Sequence, residues 1–235
     1  MAIELSNVTF TNGADIVPQS GVEEIRNTGI ANTLAGNDII TGTKEMTTTD
    51  TPFQDRFSSI FNSGTLNTAD GNDIIAGTIS GIEDSPDYYS YYGIYNIGSI
   101  YTGDGNDKIK GSGVYGLVNY STITTDNGND IISGIGEGGA AGLYTRGTIN
   151  SGEGNDIIIG TNTSGPGYGI FNGFGTPHDE VASSTIDTGD GNDTITGIST
   201  SLDTVGFGIS GIYNLGTLNT SQGNDIITGI AQESD

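Results

Sequence analysis

Seven aspartates are spaced so that they could act together. Asp38, Asp73, Asp107, Asp130, Asp156, Asp193 and Asp225 each follow Gly-Asn, and each is followed two positions later by an isoleucine. The unit reads Gly-Asn-Asp-x-Ile-x-Gly, and its copies begin at Gly36, Gly71, Gly105, Gly128, Gly154, Gly191 and Gly223. If equivalent turns stack in parallel, neighbouring carboxylates lie roughly one strand spacing apart, ~4.8 Å. Two unit charges at that distance repel by ~0.9 kcal/mol in water and ~3.5 kcal/mol at an effective dielectric of 20. A column of seven therefore needs compensation. Either backbone N–H groups at the corners bind the carboxylates, or cations sit between the rungs. Calcium suits the second option, because it takes six to eight oxygen ligands and a turn offers carbonyls beside carboxylates. Asp70, Asp104, Asp126, Glu153 and Asp190 add acids to the same corner.

Such a column requires elements that repeat. Two further segments precede each copy. One reads Gly-Thr-Leu-Asn-Thr or similar, as at Gly64 to Thr68 and Gly216 to Thr220. It begins seven residues before the Gly of all seven copies, with Ser121 and Ser184 as variants. The other reads Ile-aromatic-Asn, as at Ile60-Phe61-Asn62, Ile94-Tyr95-Asn96, Ile170-Phe171-Asn172 and Ile212-Tyr213-Asn214. Each repeat thus holds three short β-type segments between Gly-rich corners, too short and too β-branched for helix. The expected fold is all-β: a right-handed parallel β-helix of about seven three-sided coils with loop insertions. Residues 1–24 are expected to cap the N-terminal end and residues 25–235 to form the solenoid. The shortest repeat, 23 residues, is a bare coil, and insertions fall near 43–58, 78–92, 173–183 and 198–209.

Strand alternation assigns faces. Ile40, Ile75, Ile109, Ile132, Ile158, Ile195 and Ile227 form one inward column. Ala31, Leu66, Ile100, Ile123, Ile149, Ile186 and Leu218 form a second, and Ile25, Ile60, Ile94, Leu117, Leu143, Ile170 and Ile212 a third. The same parity turns Arg26, Phe61, Tyr95, Val118, Tyr144, Phe171 and Tyr213 outward. This aromatic stripe either packs as a ladder under an inserted loop or offers a platform for a glycan or protein partner. Asn27, Asn62, Asn96, Asn119 and Asn214 are expected to form a hydrogen-bonded amide ladder.

Two of the turns carry a family resemblance. Thr102-Gly103-Asp104-Gly105-Asn106-Asp107-Lys108-Ile109-Lys110 and Thr188-Gly189-Asp190-Gly191-Asn192-Asp193-Thr194-Ile195-Thr196 resemble the RTX, or haemolysin-type, nonapeptide. The resemblance implies calcium held by the Asp and by turn carbonyls, with the Ile packing inward. It covers about a quarter of the chain, on the nine-residue repeat length. In that family the nonapeptides are tandem, whereas each coil here has one. The first Gly is Thr or Ser in every copy. The second is kept only at Gly103, Gly152 and Gly189, and is Leu34, Ala69, Asp126 or Ser221 elsewhere. Calcium is therefore expected first around Asp107, Asp156 and Asp193, with Asp104 and Asp190 beside them. At Asp38, Asp73, Asp130 and Asp225 an Asp capping its own turn is an equal reading.

Composition narrows the partners. There are 29 acidic residues against 6 basic ones, a net charge of −23, so nucleic acid and anionic membranes are disfavoured. The chain lacks Cys, which excludes disulfides and thiolate metal sites. No transmembrane stretch stands out, and Met1-Ala2-Ile3-Glu4 does not open a secretory signal. The RTX resemblance implies export without a signal peptide, to the cell surface or beyond, while a cytoplasmic location stays open. The expected function is a calcium-binding structural, adhesive or glycan- or protein-binding module, with end-to-end or lateral self-association open to it. Alternatives are a polysaccharide lyase or hydrolase and a metal-free or ice-binding solenoid. The only catalytic candidate is His178, within Pro177-His178-Asp179-Glu180.

Overall fold

A computed structural model describes residues 2–18, 24–46, 57–81, 91–138, 141–173, 184–200 and 209–232. The greater part of each expected insertion, and with it His178, lies outside the described residues.

Each repeat begins on a strand of the Ile-aromatic-Asn type, such as Tyr115–Asn119, and turns onto a three-residue strand, such as Thr122–Thr124. The Gly-Asn-Asp corner then leads into a six- or seven-residue strand, such as Ile131–Gly136. Equivalent strands pair in parallel from rung to rung, giving three sheets of eight, seven and eight strands. The fold is a parallel β-solenoid. Register follows the repeat: Ile132 pairs with Ile109 and Ile158, and Leu117 with Ile94 and Leu143. A slip of one residue would turn the isoleucine column to solvent, so the apolar period specifies this register.

The three inward columns form one continuous core. From Ile25 to Ile195 their members are at most 2% exposed. The first and third sheets approach backbone to backbone. A Cβ on Gly134 of the third sheet would lie 2.1 Å from the carbonyl oxygen of Gly142 on the first. The closing glycines from Gly42 to Gly197 are therefore a spacing requirement between sheets, whereas a Cβ on Gly229 would meet nothing nearer than 3.4 Å.

Within residues 1–24, expected as a cap, the described residues form a reduced rung. Ala2–Glu4 pairs with Glu24–Asn27, and Ile16–Val17 with Ile39–Ile40. A 3-10 turn over Leu5–Asn7 stands where the second sheet would place a strand, and Leu5 is fully buried at that end of the core. Gly13-Ala14-Asp15-Ile16-Val17 is an eighth, degenerate copy of the turn. It begins 23 residues before Gly36, the bare-coil spacing, but lacks the Asn that marks the others.

Candidate functional site

The corner that carries the aspartates is tightly turned. The residue two before each motif Gly has positive φ in all seven full copies, including Leu34 (68°), Ala69 (59°), Asp126 (58°) and Ser221 (49°). Gly103, Gly152 and Gly189 adopt the same region, and there the conformation carries no Cβ penalty. The chain thus keeps the turn geometry even where it has lost the glycine.

This corner points the carboxylates inward. Asp38, Asp73, Asp107, Asp130, Asp156 and Asp193 are only 1–2% exposed. The backbone N–H of each Asp donates to Oδ1 of the Asp in the following rung: Asp73 to Asp107 at 2.8 Å, Asp107 to Asp130 at 2.8 Å, Asp130 to Asp156 at 2.8 Å. The series runs unbroken from Asp15 to Asp225. The adjacent Asn column runs in the opposite sense on the exposed side. The N–H of Asn106, for example, donates to Oδ1 of Asn72 in the preceding rung at 2.7 Å. Neighbouring turns are therefore braced in both directions. Backbone N–H groups, one of the two compensations expected for the column, are present.

The second carboxylate oxygen meets a hydroxyl column that was not singled out in the sequence. Thr33, Thr68, Thr102, Thr125, Ser151 and Thr188 are buried, each five residues before its Asp. The Thr33 hydroxyl bonds Oδ2 of Asp38. The hydroxyls of Thr68, Thr102, Thr125 and Ser151 face Asp73, Asp107, Asp130 and Asp156, and one that turned its hydrogen to the carboxylate would favour the ionised form. Oδ2 of Asp73, Asp107, Asp130, Asp156 and Asp193 has no hydrogen-bond partner of good geometry, and neither do the hydroxyls of Thr102, Ser151 and Thr188. Two of the hydroxyls also reach toward the next rung, Thr125 to the Ser151 carbonyl at 3.1 Å and Thr68 to the Thr102 carbonyl at 3.4 Å. A hydroxyl that donates there leaves its oxygen lone pairs facing Oδ2.

Burial dominates the electrostatics. It pushes Asp73 and Asp130 up to about 6, and Asp107 and Asp156 up to about 7, from an ordinary value of 3.8. The hydroxyl and the backbone N–H pull the other way, and charge on a nearby Asp adds to the rise. A protonated carboxyl suits this geometry. Oδ1 would keep its N–H, and a proton on Oδ2 would have the facing hydroxyl oxygen as its acceptor.

The donor set is hard oxygen throughout, the chemistry calcium selects. The hydrogen bonding of the column, as it stands, fits a proton. Among the described residues no three His, Cys, Asp or Glu side chains converge as a metal site. Asp104 and Asp190, expected beside the central ligands, are exposed and accept hydrogen bonds from Asn127 (2.8 Å) and Gln222 (3.3 Å) in the following rung.

The aromatic column is real but only partly open. Rings stack along the first sheet: Phe61 on Tyr95 at 5.9 Å, Tyr144 on Phe171 at 5.0 Å and Phe171 on Tyr213 at 5.3 Å. Tyr92, Tyr115, Tyr120 and Tyr168, outside the expected column, join them. Tyr95 (2% exposed) and Phe171 (7%) are buried, whereas Phe61, Tyr144 and Tyr213 are half-buried and Tyr120 reaches 36%. The guanidinium of Arg146 lies over Tyr144 and Tyr120 at 5.2 and 5.3 Å. The expected amide ladder is present, with Asn27, Asn62, Asn96 and Asn119 linked at 2.7–2.8 Å.

No protein-family model, curated protein or solved structure matches this chain. Among the described residues no helix is long and apolar enough to cross a membrane.

Proposed function

We propose that this chain is a structural solenoid module, working at or beyond the cell surface, that binds a neutral glycan on its aromatic face. The observation that carries the reading is the half-open cluster of Tyr115, Tyr120, Tyr144 and Arg146, whose rings lie 5.8–6.5 Å apart along the first sheet and the turns that leave it. Flat rings on a fixed ladder suit sugar stacking, because little side-chain entropy is lost on binding. A net charge of −23 disfavours acidic glycans. Wild-type protein is expected to retain neutral polysaccharides on a glycan array, and Tyr144→Ala and Tyr120→Ala each to weaken retention ~10-fold, the equivalent of ~1.4 kcal/mol. Retention unchanged in both variants would remove the platform from the account. Capture of a protein ligand instead would reassign the face.

Calcium is the second reading, favoured by the five buried Oδ2 atoms that lack a hydrogen-bond partner. A cation entering the column would replace the proton there, with Asp107, Asp156 and Asp193 as first ligands. At pH 7.5 millimolar calcium is then expected to raise the melting temperature above that in chelator. Equal melting with no calorimetric heat of binding would eliminate calcium and leave a metal-free module.

A further inference from the structure

The aromatic ladder of the first sheet is built mostly of phenols. Tyr92, Tyr95, Tyr115, Tyr120, Tyr144 and Tyr168 each have another tyrosine ring centred within 6.5 Å. One rung interrupts the column, where Val118 stands between Tyr95 and Tyr144. Tyr120, the residue after strand Tyr115–Asn119, brings its ring into contact with both of these tyrosines. At 36% it is the most exposed ring of the ladder among the described residues.

Its two tyrosine neighbours differ. Tyr95 is buried and stands edge-on to Tyr120, with centroids 5.6 Å apart and ring planes at 68°. Tyr144 is half-buried, 5.8 Å away and inclined at 53°, and its phenol interacts with that of Tyr120. The Arg146 guanidinium lies over both Tyr120 and Tyr144 and gathers the two rings into one cluster. Tyr101 offers a comparison within the same chain. It is equally exposed, at 37%, but lies on the second sheet and has no ring neighbour among the described residues.

We infer that Tyr120 and Tyr144 are a site of oxidative modification, coupled ring to ring as a dityrosine by a haem peroxidase and hydrogen peroxide. Each phenol gives up one electron and its hydroxyl proton. The two phenoxyl radicals combine through the carbons ortho to oxygen, forming one C–C bond. Each of those carbons then passes its hydrogen to its own ring oxygen, which restores both phenols. The two electrons and two protons reduce one peroxide to two waters. Oxidation enters at Tyr120, the ring that solvent reaches. Coupling follows with Tyr144, whose half-open phenol can release its proton to water, whereas burial keeps water from Tyr95. The bond ties strand Ala141–Thr145 to the turn after Tyr115–Asn119, one rung to the next. It closes a loop of about one coil and constrains the unfolded chain as a disulfide does. The chain has no cysteine with which to make such a staple by other means. The coupling does not depend on what the aromatic face binds.

Peptide mapping of dilute protein treated with a haem peroxidase and hydrogen peroxide tests this. Cleavage after lysine and arginine releases residues 111–146 as one fragment, which holds both tyrosines. A second cleavage, after Glu137, separates them unless they are bonded. The expected product, in monomeric protein, is 111–137 held to 138–146, two hydrogens lighter than the separate pieces. Tyr120→Phe is expected to abolish the joined product and Tyr101→Phe to leave it unchanged. Joining that persists in Tyr120→Phe overturns the inference. So does coupling of Tyr120 to Tyr95 in place of Tyr144, or coupling only between molecules. Pieces that stay separate while free tyrosine in the same tube is oxidised overturn it as well. The wild-type map decides the matter even where a variant folds poorly.

Discussion

In calcium-free buffer the solenoid is expected to melt at least ~5 °C higher at pH 5 than at pH 8, the effect of about 2 kcal/mol in a chain of this size. The sign follows from the Asp column. Burial raises Asp73 and Asp130 to about 6 and Asp107 and Asp156 to about 7, against 3.8 in the unfolded chain. The folded state therefore holds protons that the unfolded state releases, and stability falls as pH rises. The contribution is complete below pH 4, is lost between about pH 4 and 7, and is flat above that. General repulsion among 29 acidic residues acts in the same direction, so a second measurement must isolate the column. Asp130→Asn does so. Its amide keeps an oxygen for the Asp107 N–H and places a donor where Oδ2–H would be. The variant is expected to melt ~2–4 °C above wild type at pH 8, about 1 kcal/mol, and to lose that advantage at pH 5. An Asp130→Asn chain that is weaker at both pH values would mean the column is ionised and held by something other than protons.

Gly128→Ala is expected to abolish soluble folded protein or to cost more than ~4 kcal/mol. Gly128 has φ of +155°, and a Cβ there would lie 1.4 Å from the Gly105 carbonyl oxygen. No rotamer relieves a backbone contact, so the rungs must part, and with them the N–H bond from Asp107 to Asp130. The same substitution at the equivalent position of the first rung, Gly13→Ala, meets nothing nearer than 3.9 Å. It is expected to stay within ~0.5 kcal/mol of wild type. Denaturant unfolding of the two variants compares a motif glycine between rungs with one at the open N-terminal face. Equal stability of Gly128→Ala and wild type would mean that the rungs do not stack as closely as described.

Much of this molecule was legible from residue order. A β-branched column at a constant place after each Gly-Asn-Asp leaves one parallel register, which buries the column from Ile40 to Ile195. Sheets, core columns and amide ladder follow from that alone. The eighth rung was missed because Gly13-Ala14-Asp15 lacks the Asn, although its 23-residue offset from Gly36 was a usable signal. The hydroxyl column was also written in the sequence, as Thr or Ser five residues before each Asp. In the RTX-like nonapeptide the same position is a glycine, so resemblance alone marks it as a departure. Its role emerges only when the corner folds back and brings the hydroxyl against Oδ2.

What remained for the tertiary structure to decide is the state of the aspartates. Spacing along the chain puts seven carboxylates in a row and requires their repulsion to be relieved, but it cannot say by what. Relief depends on which way the turn points its side chains and on the distance to the next rung's N–H, and both are long-range properties. The inward corner removes water from Asp107 and its neighbours, supplies Oδ1 with a backbone donor and faces Oδ2 with a hydroxyl. Desolvation then outweighs those hydrogen bonds, and the carboxyls hold protons well above their ordinary range. In the same way, strand parity set Tyr95 and Tyr144 in one outward column, yet packing on the first sheet buried the first and left the second half-open.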